Sequence, residues 1–263
     1  ESSNTQRIGN ASPTAASTGS DINGNAARLA AEKIKTNLTR GALALIAQKY
    51  ELTVFPEDII FSENKVFGKD FPDAYITFPE LVNLAYSERI PLAAYGYYKT
   101  PGLWFDRDKG IGHPFHYFVY GAALAEVELD TLLGEYTIRK LFIVHENGNT
   151  LNEAIDRGQI EGAVLQGIGW CTIEDLIYDE KGLYLSANPS TYKIPGIRNL
   201  PAETDIEIIP SATEEASIFG SKGIGEPPLI YGLSVFFALQ AAYKEANPEK
   251  ELSFPATPES LIK

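Results

Sequence analysis

The chain has 263 residues, 44% of them apolar and including 13 Phe and 14 Tyr, which suits a sizeable core and excludes a disordered chain. Asp and Glu outnumber Lys and Arg by 35 to 22, and the net charge of −13 excludes nucleic acid and anionic membranes as partners, since no excess of cations is present to neutralise phosphates. One cysteine, Cys171, excludes an internal disulfide and a Cys-ligated iron–sulfur cluster or zinc finger within the chain, and fits a reducing, cytoplasmic compartment.

No apolar run reaches the length of a membrane span, and no signal-peptide pattern is read at the start. The chain lacks Met and opens on Glu1 inside a patterned run, so it is expected to be a piece of a longer protein. Residues 1–24 are rich in Ser, Thr, Asn, Gly and Ala. They read either as a linker-like arm or as a loop pressed against a ligand. In the second case the backbone N–H groups of Thr14 to Gly19 approach an anion, and Asp21 or Asn23 caps the helix that follows. That helix is expected over 26–50, with Leu29, Ile34, Leu38, Leu45 and Ile46 on one face and Gly41 as a bend or break. Short strands are expected at 52–55, 59–61 and 65–67. A short helix over 76–89 follows, with Thr77 as cap, Pro79 in the first turn and Glu80 at the third position.

Residues 95–114, rich in Gly, Pro and Tyr, are expected to be irregular and to mark the internal boundary, giving lobes 1–112 and 113–263. Long strands are expected at 115–130 and 137–146, with one face covered and one wet. A helix over 152–170 capped by Asn152 contains Gly158, Gly162, Gly167 and Gly169. Each would weaken an exposed helix by about 1 kcal/mol relative to Ala, so the set implies close packing against a backbone or a ligand. Strands are expected near 183–185 and 206–209, and the Pro-rich tail from Asn247 is expected on the surface.

The stretch Ser221-Lys222-Gly223-Ile224-Gly225-Glu226-Pro227-Pro228 precedes an apolar run from Leu229 to Tyr243. Pro is tolerated in the first turn of a helix, so Glu226 is expected at a helix N-terminus. The helix dipole favours its carboxylate, whereas burial among Ile224, Leu229 and Ile230 disfavours it. Glu226 is then either a general base or an acid that only complements the dipole. Lys222 is expected to be solvated or structural. Gln159 reads as a surface or packing residue, or as an amide that meets a group with donors and acceptors. His113 and His116, separated by Pro114, do not form a metal-ligand pair; His145 is read as structural and Cys171 as inert. No hydrolase elbow, dinucleotide fingerprint or P-loop is present.

The Glu226 stretch resembles the signature of the xanthine dehydrogenase branch of the molybdenum hydroxylases. Five further runs resemble the same family in the same order: 10–17 (NASPTAAS), 21–24 (DING), 113–118 (HPFHYF), 158–162 (GQIEG) and 189–195 (PSTYKIP). The two prolines after Glu226 are closer to xanthine dehydrogenases than to aldehyde oxidases. The resemblance implies an α+β fold, the C-terminal part of a two-lobed molybdenum-cofactor-binding domain with mixed sheets and packed helices. It implies Glu226 as catalytic base, with Thr14, Ala15, Ala16 and Ser17 lining the molybdenum centre. Ala16 lies nearest the metal through its backbone, Gly19 and Ser20 near the pterin's phosphate tail, and Gln159 on the molybdopterin. Where the family often has Ser, Gly19 offers no side-chain hydrogen bond. The implied reaction hydroxylates a hypoxanthine- or xanthine-type purine with oxygen from water. FAD and 2Fe-2S clusters are expected in other parts of the enzyme, with NAD the usual acceptor. The implied partners are the rest of the molybdenum domain and those redox modules, in an oligomer. An aldehyde- or N-heterocycle-oxidising molybdenum hydroxylase and a non-catalytic subunit remain the alternatives.

Overall fold

The computed structural model describes residues 14–201, 203–210 and 217–262. The Asn10–Pro13 part of the first motif lies outside the described residues. Two compact units form, one from Asp21–Thr100 and the other from the described residues up to Ser20 together with those from Pro101 on. The division therefore falls near residue 100 and not at 112, and the arm up to Ser20 groups with the second unit.

In the first unit, helix α1 (Asn25–Tyr50) packs with a three-stranded antiparallel sheet, β1 (Ile59–Ser62), β2 (Lys65–Gly68) and β3 (Phe71–Thr77), and with helix α2 (Phe78–Ser87). Leu38, Ala42 and Ile46 of α1 meet Ile59, Val66, Ile76, Leu81 and Ala85 in one apolar cluster. The cap of α2 is the expected one. Thr77 accepts from the Glu80 N–H while the Glu80 carboxylate accepts from the Thr77 N–H, so two helix-end donors are satisfied reciprocally. Helix α1 runs through Gly41 without a break. A Cβ there would lie 3.1 Å from Ile90 Cδ1 and 3.2 Å from Leu81 Cδ1, so this glycine serves packing. The N-cap of α1 is Gly24, not Asp21 or Asn23, and a π-type turn, Gly19–Gly24, leads into it. Residues 52–55 form no strand, and the third strand is β3 instead.

In the second unit the stretch expected to be irregular contains a small hairpin, β4 (Trp104–Asp106) and β5 (Ile111–His113). Strand β6 (Tyr120–Asp130) pairs antiparallel with β7 (Glu135–Glu146), and β8 (Glu203–Ile209) adds parallel to β7 with Ile143 opposite Ile206. A parallel neighbour needs a crossover. Helix α3 (Glu153–Thr172) lies in it, capped by Asn152 as expected. Leu141 and Ile143 of β7, Ile160, Val164 and Ile168 of α3, and Val235 and Leu239 of helix α4 (Leu233–Ala246) share one core. The other face of β7 is less polar than expected, because Phe142 and Val144 are exposed there. Only a bridge between Tyr178 and Tyr184 stands where a strand near 183–185 was expected. The tail is not confined to the surface: Leu252, Ala256 and Leu261, the last in helix α5 (Pro258–Leu261), are buried in this core. Among the described residues no helix is long and apolar enough to cross a membrane.

One approach positions the site. A Cβ on Gly167 would lie 2.0 Å from the Leu229 carbonyl oxygen, and one on Gly232 2.3 Å from Gly167 C. Helix α3 and the 3₁₀ turn Pro227–Gly232 thus touch backbone to backbone, which only residues without a Cβ permit. Gly169 is similarly tight against Pro195, whereas Gly158 and Gly162 face open space. Close packing accounts for two of the four helix glycines.

Candidate active site

Glu226 stands immediately before the 3₁₀ turn Pro227–Gly232, which passes directly into α4. The helix therefore begins one 3₁₀ segment later than the sequence implied, in keeping with two prolines that provide no N–H for the ladder. The residue is exposed, so the expected burial among Ile224, Leu229 and Ile230 does not occur. Its position is nonetheless fixed by the arm. The Ser17 hydroxyl accepts from the Glu226 backbone N–H at 2.7 Å and donates to Glu226 Oε2 at 3.2 Å. Oε1 has no hydrogen bond among the described residues.

Ser17 reaches this position through a tight turn. Ala16 and Ser17 have φ of 53° and 56°, and the Thr18 N–H closes the turn on the Ala15 carbonyl at 3.1 Å. Two consecutive non-glycine residues in the left-handed region cost roughly 1–2 kcal/mol each, a strain that persists only where surroundings impose it. The Thr18 N–H is thereby committed to the turn and is not available to an anion as expected.

Gly223 and Gly225 lie where the walls converge. A Cβ on Gly223 would be 3.1 Å from Ser17 and 3.3 Å from the Tyr117 hydroxyl; one on Gly225 would be 3.3 Å from Ser17 Oγ and 3.6 Å from Gln159 Oε1. The fold thus gathers Ser17, Gln159 and Glu226, which are far apart in sequence. Thr14, Ala15 and Ala16 are exposed at and just before the arm's turn, and Gly19 and Ser20 begin the π-type turn that follows. His113 is exposed on β5, and among the described residues no group of three His, Cys, Asp or Glu side chains is placed to hold a metal.

Of the two roles expected for Lys222, solvated or structural, the structure shows the structural one. Its side chain is 1% exposed, and its ammonium donates to Glu146 Oε2 at 2.9 Å and to the Phe118 carbonyl at 3.0 Å. The Glu146 partner went unrecognised because nothing in Glu146-Asn147-Gly148 distinguishes a turn from the end of a buried strand. Tyr117, whose hydroxyl accepts from the Gly223 N–H at 2.7 Å, lay inside a motif already noted but had no role assigned. His145 is fully buried with Nδ1 2.7 Å from the Tyr231 hydroxyl. Burial pushes its imidazole pKa down, against the raising pull of Glu146 and Asp156. Cys171 is buried and its thiol is pushed up to about 12, chiefly by desolvation, which agrees with an inert role.

Residues 1–201 match the family model described as the molybdopterin cofactor-binding domain. The chain belongs to this family. It is 36% identical over 252 residues to the xanthine dehydrogenase of Dictyostelium discoideum, covering 95% of this chain and 16% of that protein. It is 41% identical over 191 residues to aldehyde oxidase 1 of Oryctolagus cuniculus, covering 70% of this chain and 14% of that one. The chain thus spans less than a fifth of the length of either relative. Among solved structures, a Cu,Mo-CO dehydrogenase superimposes with a TM-score of 0.79 over 99% of this chain and 31% of its own, at 22% identity, a likeness of fold alone. The α+β architecture is that of the family.

The residues present fit the cofactor of the family's name. Gln159 is an exposed amide, able to donate and to accept, and pterin edges carry both kinds of group. On the same helix Gly158 and Gly162 leave the surface beside it open, with nothing within 4 Å of a built Cβ.

Proposed function

We propose that this chain is the part of a molybdenum hydroxylase that supplies the catalytic base and one wall of the molybdopterin site. The observation that carries the reading is the double hydrogen bond between Ser17 and Glu226, which joins the arm to the acid. When bound, the molybdenum group supplies the two-electron acceptor for a hydroxylation whose oxygen comes from water. Gln159 would hold the pterin edge, the turn at Ala15–Ser17 would take the metal end, with Ala16 as its backbone contact, and Gly19 and Ser20 would take the phosphate tail. Glu226 takes the proton from the attacking oxygen. Ser17 engages Oε2 and the main chain, leaving Oε1 as the proton acceptor. A base so placed contributes about 10²–10⁴ in rate.

The substrate class we infer is a purine of the hypoxanthine or xanthine type, supported by the name of the Dictyostelium relative and by Pro227 and Pro228. The identity to a rabbit aldehyde oxidase favours a second reading, an aldehyde or another N-heterocycle. The iron–sulfur and FAD modules, with NAD as final acceptor, belong to the remainder of the enzyme, and the setting is cytoplasmic. In the complete enzyme, Glu226→Gln should lower turnover by about 10²–10⁴-fold while molybdenum and pterin content stay at about one per copy. Turnover near that of the wild type removes Glu226 from the mechanism. Absence of molybdenum from the purified assembly leaves only a non-catalytic subunit. Comparing xanthine with an aldehyde as substrate decides between the two classes.

A further inference from the structure

The Glu226 loop packs against the core through Ile224, but the residues on either side of Ile224 add no apolar side chain. Gly223 and Gly225 have no side chains, and Glu226 is exposed. Its shape is set by main-chain donors: Lys222 N–H to the Asn147 carbonyl at 2.7 Å, Gly223 N–H to the Tyr117 hydroxyl at 2.7 Å, and Glu226 N–H to Ser17 Oγ at 2.7 Å. The first two acceptors lie at one paired strand end, Asn147 just after β7 and Tyr117 just before β6, where the ladder sets Tyr120 opposite Glu146. One side chain of the loop clamps onto both segments. The Lys222 ammonium bonds Glu146 of β7 and the Phe118 carbonyl just before β6, 6.0 Å from the Tyr117 ring centroid and 5.8 Å from that of Tyr120. Glu146 uses its other oxygen, Oε1, to accept from the Gly148 N–H at 3.0 Å.

We propose that Lys222 and Glu146 are positioning residues for Glu226, a step that rests on the reading of Glu226 as the base. A buried ion pair gains little stability over an apolar pair of the same volume, and its best-attested use is to fix register. Here the register is that of a glycine-rich loop whose acid must meet a reacting atom. The pair anchors the start of the loop to the paired end of β6 and β7, the segments at that end hold the N–H groups of Lys222 and Gly223, and the loop then presents Glu226 to Ser17. Without the pair the loop still forms, but its acid no longer has a single position. A misplacement of about 1 Å can cost about 10² in rate.

The test uses the complete enzyme with three variants. Glu146→Gln/Lys222→Met removes both charges, so neither is left buried alone. Lys222→Arg keeps the charge, and Tyr117→Phe removes the acceptor for Gly223 while keeping both charges of the pair. Two quantities are read: kcat and KM per bound molybdenum, and hydrogen exchange at the Gly223 and Glu226 amides in protein stripped of cofactor. The expected result for the double variant is a kcat about 10²-fold lower with KM unchanged and both amides exchanging faster. Lys222→Arg restores most of kcat, and Tyr117→Phe shifts Gly223 exchange alone. Wild-type kcat per molybdenum in the double variant overturns the proposal, as does loss of molybdenum content with kcat per molybdenum intact. If the double variant does not accumulate, wild-type exchange at Gly223 in Tyr117→Phe overturns it. Full turnover in Glu226→Gln sinks the base reading itself. Full turnover in the double variant beside an inactive Glu226→Gln sinks only the positioning role.

Discussion

Glu63–Asn64 in the first unit and Ala16–Ser17 in the second have nearly the same backbone, with φ of 47° and 60° in one and 53° and 56° in the other. Their settings differ. Glu63–Asn64 joins β1 to β2, with Ser62 paired to Lys65, and a two-residue turn with both φ positive matches the twist of the strands it connects. Ala16–Ser17 connects no strands. Its closing bond is local, and what it achieves is to turn a hydroxyl onto Glu226. The same contrast runs through both units. The first has an apolar cluster and a conventional helix cap. The second buries a Lys–Glu pair and a histidine, places left-handed Phe219 beside Gly220 just before the Glu226 loop, and exposes its acid. Left-handed residues and an apolar core occur in both units, and what sets the second apart is the buried Lys–Glu pair beside an exposed acid.

Glycines offer the strongest way to break that contrast. Gly41→Ala in α1 would place a methyl against the ends of the Ile90 and Leu81 side chains, which can move by a few tenths of an ångström. The gain in helix propensity, about 1 kcal/mol, then offsets the crowding, and the midpoint of urea unfolding should stay within error of wild type. Gly167→Ala in α3 meets the Leu229 carbonyl oxygen instead, and backbone does not yield. That variant should lose about 1–3 kcal/mol, read from the same unfolding curves, and should loosen the 3₁₀ turn after Glu226. Equal behaviour of the two would mean that the second unit is no more tightly specified at its loop than the first.

A smaller effect separates the two turns directly. Glu63→Gly removes left-handed strain and little else, so it should raise stability by up to about 1 kcal/mol. Ser17→Gly removes similar strain but also the hydroxyl that meets Glu226 twice. Its stability should change less than that of Glu63→Gly, while turnover of the complete enzyme falls. If Ser17→Gly keeps full turnover, the left-handed arm has no part in placing the acid.

What the sequence made legible follows the same division. Helices α1 and α2, the Thr77–Glu80 cap and the Asn152 cap were readable because periodicity and capping are local signals. The grouping of Ser17, Gln159 and Glu226 was accessible only through ordered resemblance, since 209 residues separate the two that bond. The Lys222–Glu146 pair was not legible: each residue looks like an ordinary surface charge, and only β6–β7 pairing beside the 221–226 loop buries both. Glycine function was also ambiguous in one dimension. Gly158 and Gly167 lie on the same helix, yet one faces open space and the other a carbonyl, a difference set by where Pro227–Gly232 happens to cross. The tail was misjudged because Pro and polar residues dominate its composition, while three spaced apolar residues, Leu252, Ala256 and Leu261, determine where it sits.

The smallest expected effect is electrostatic and belongs to the first unit. The Glu80 carboxyl is held at about 2, first by the hydrogen bond from the Thr77 hydroxyl, then by the Thr77 N–H and by Lys49 at 3.2 Å. The folded value lies below the ordinary 4.5, so the folded state binds fewer protons than the unfolded state in the interval between them. The stabilisation is therefore fully present above about pH 4.5 and is lost as pH falls toward about 2. Glu80→Gln keeps an acceptor for Thr77 but no titrating charge, so its stability should fall less steeply over that interval than that of the wild type. Urea unfolding at stepped pH values, monitored through the α2 amides, reads the difference. Because the carboxylate is exposed to solvent, added salt should shrink the Lys49 part while leaving the Thr77 hydrogen bonds in place. A pH slope abolished by salt would instead make Lys49, and not the capping box, the main source of the lowered pKa.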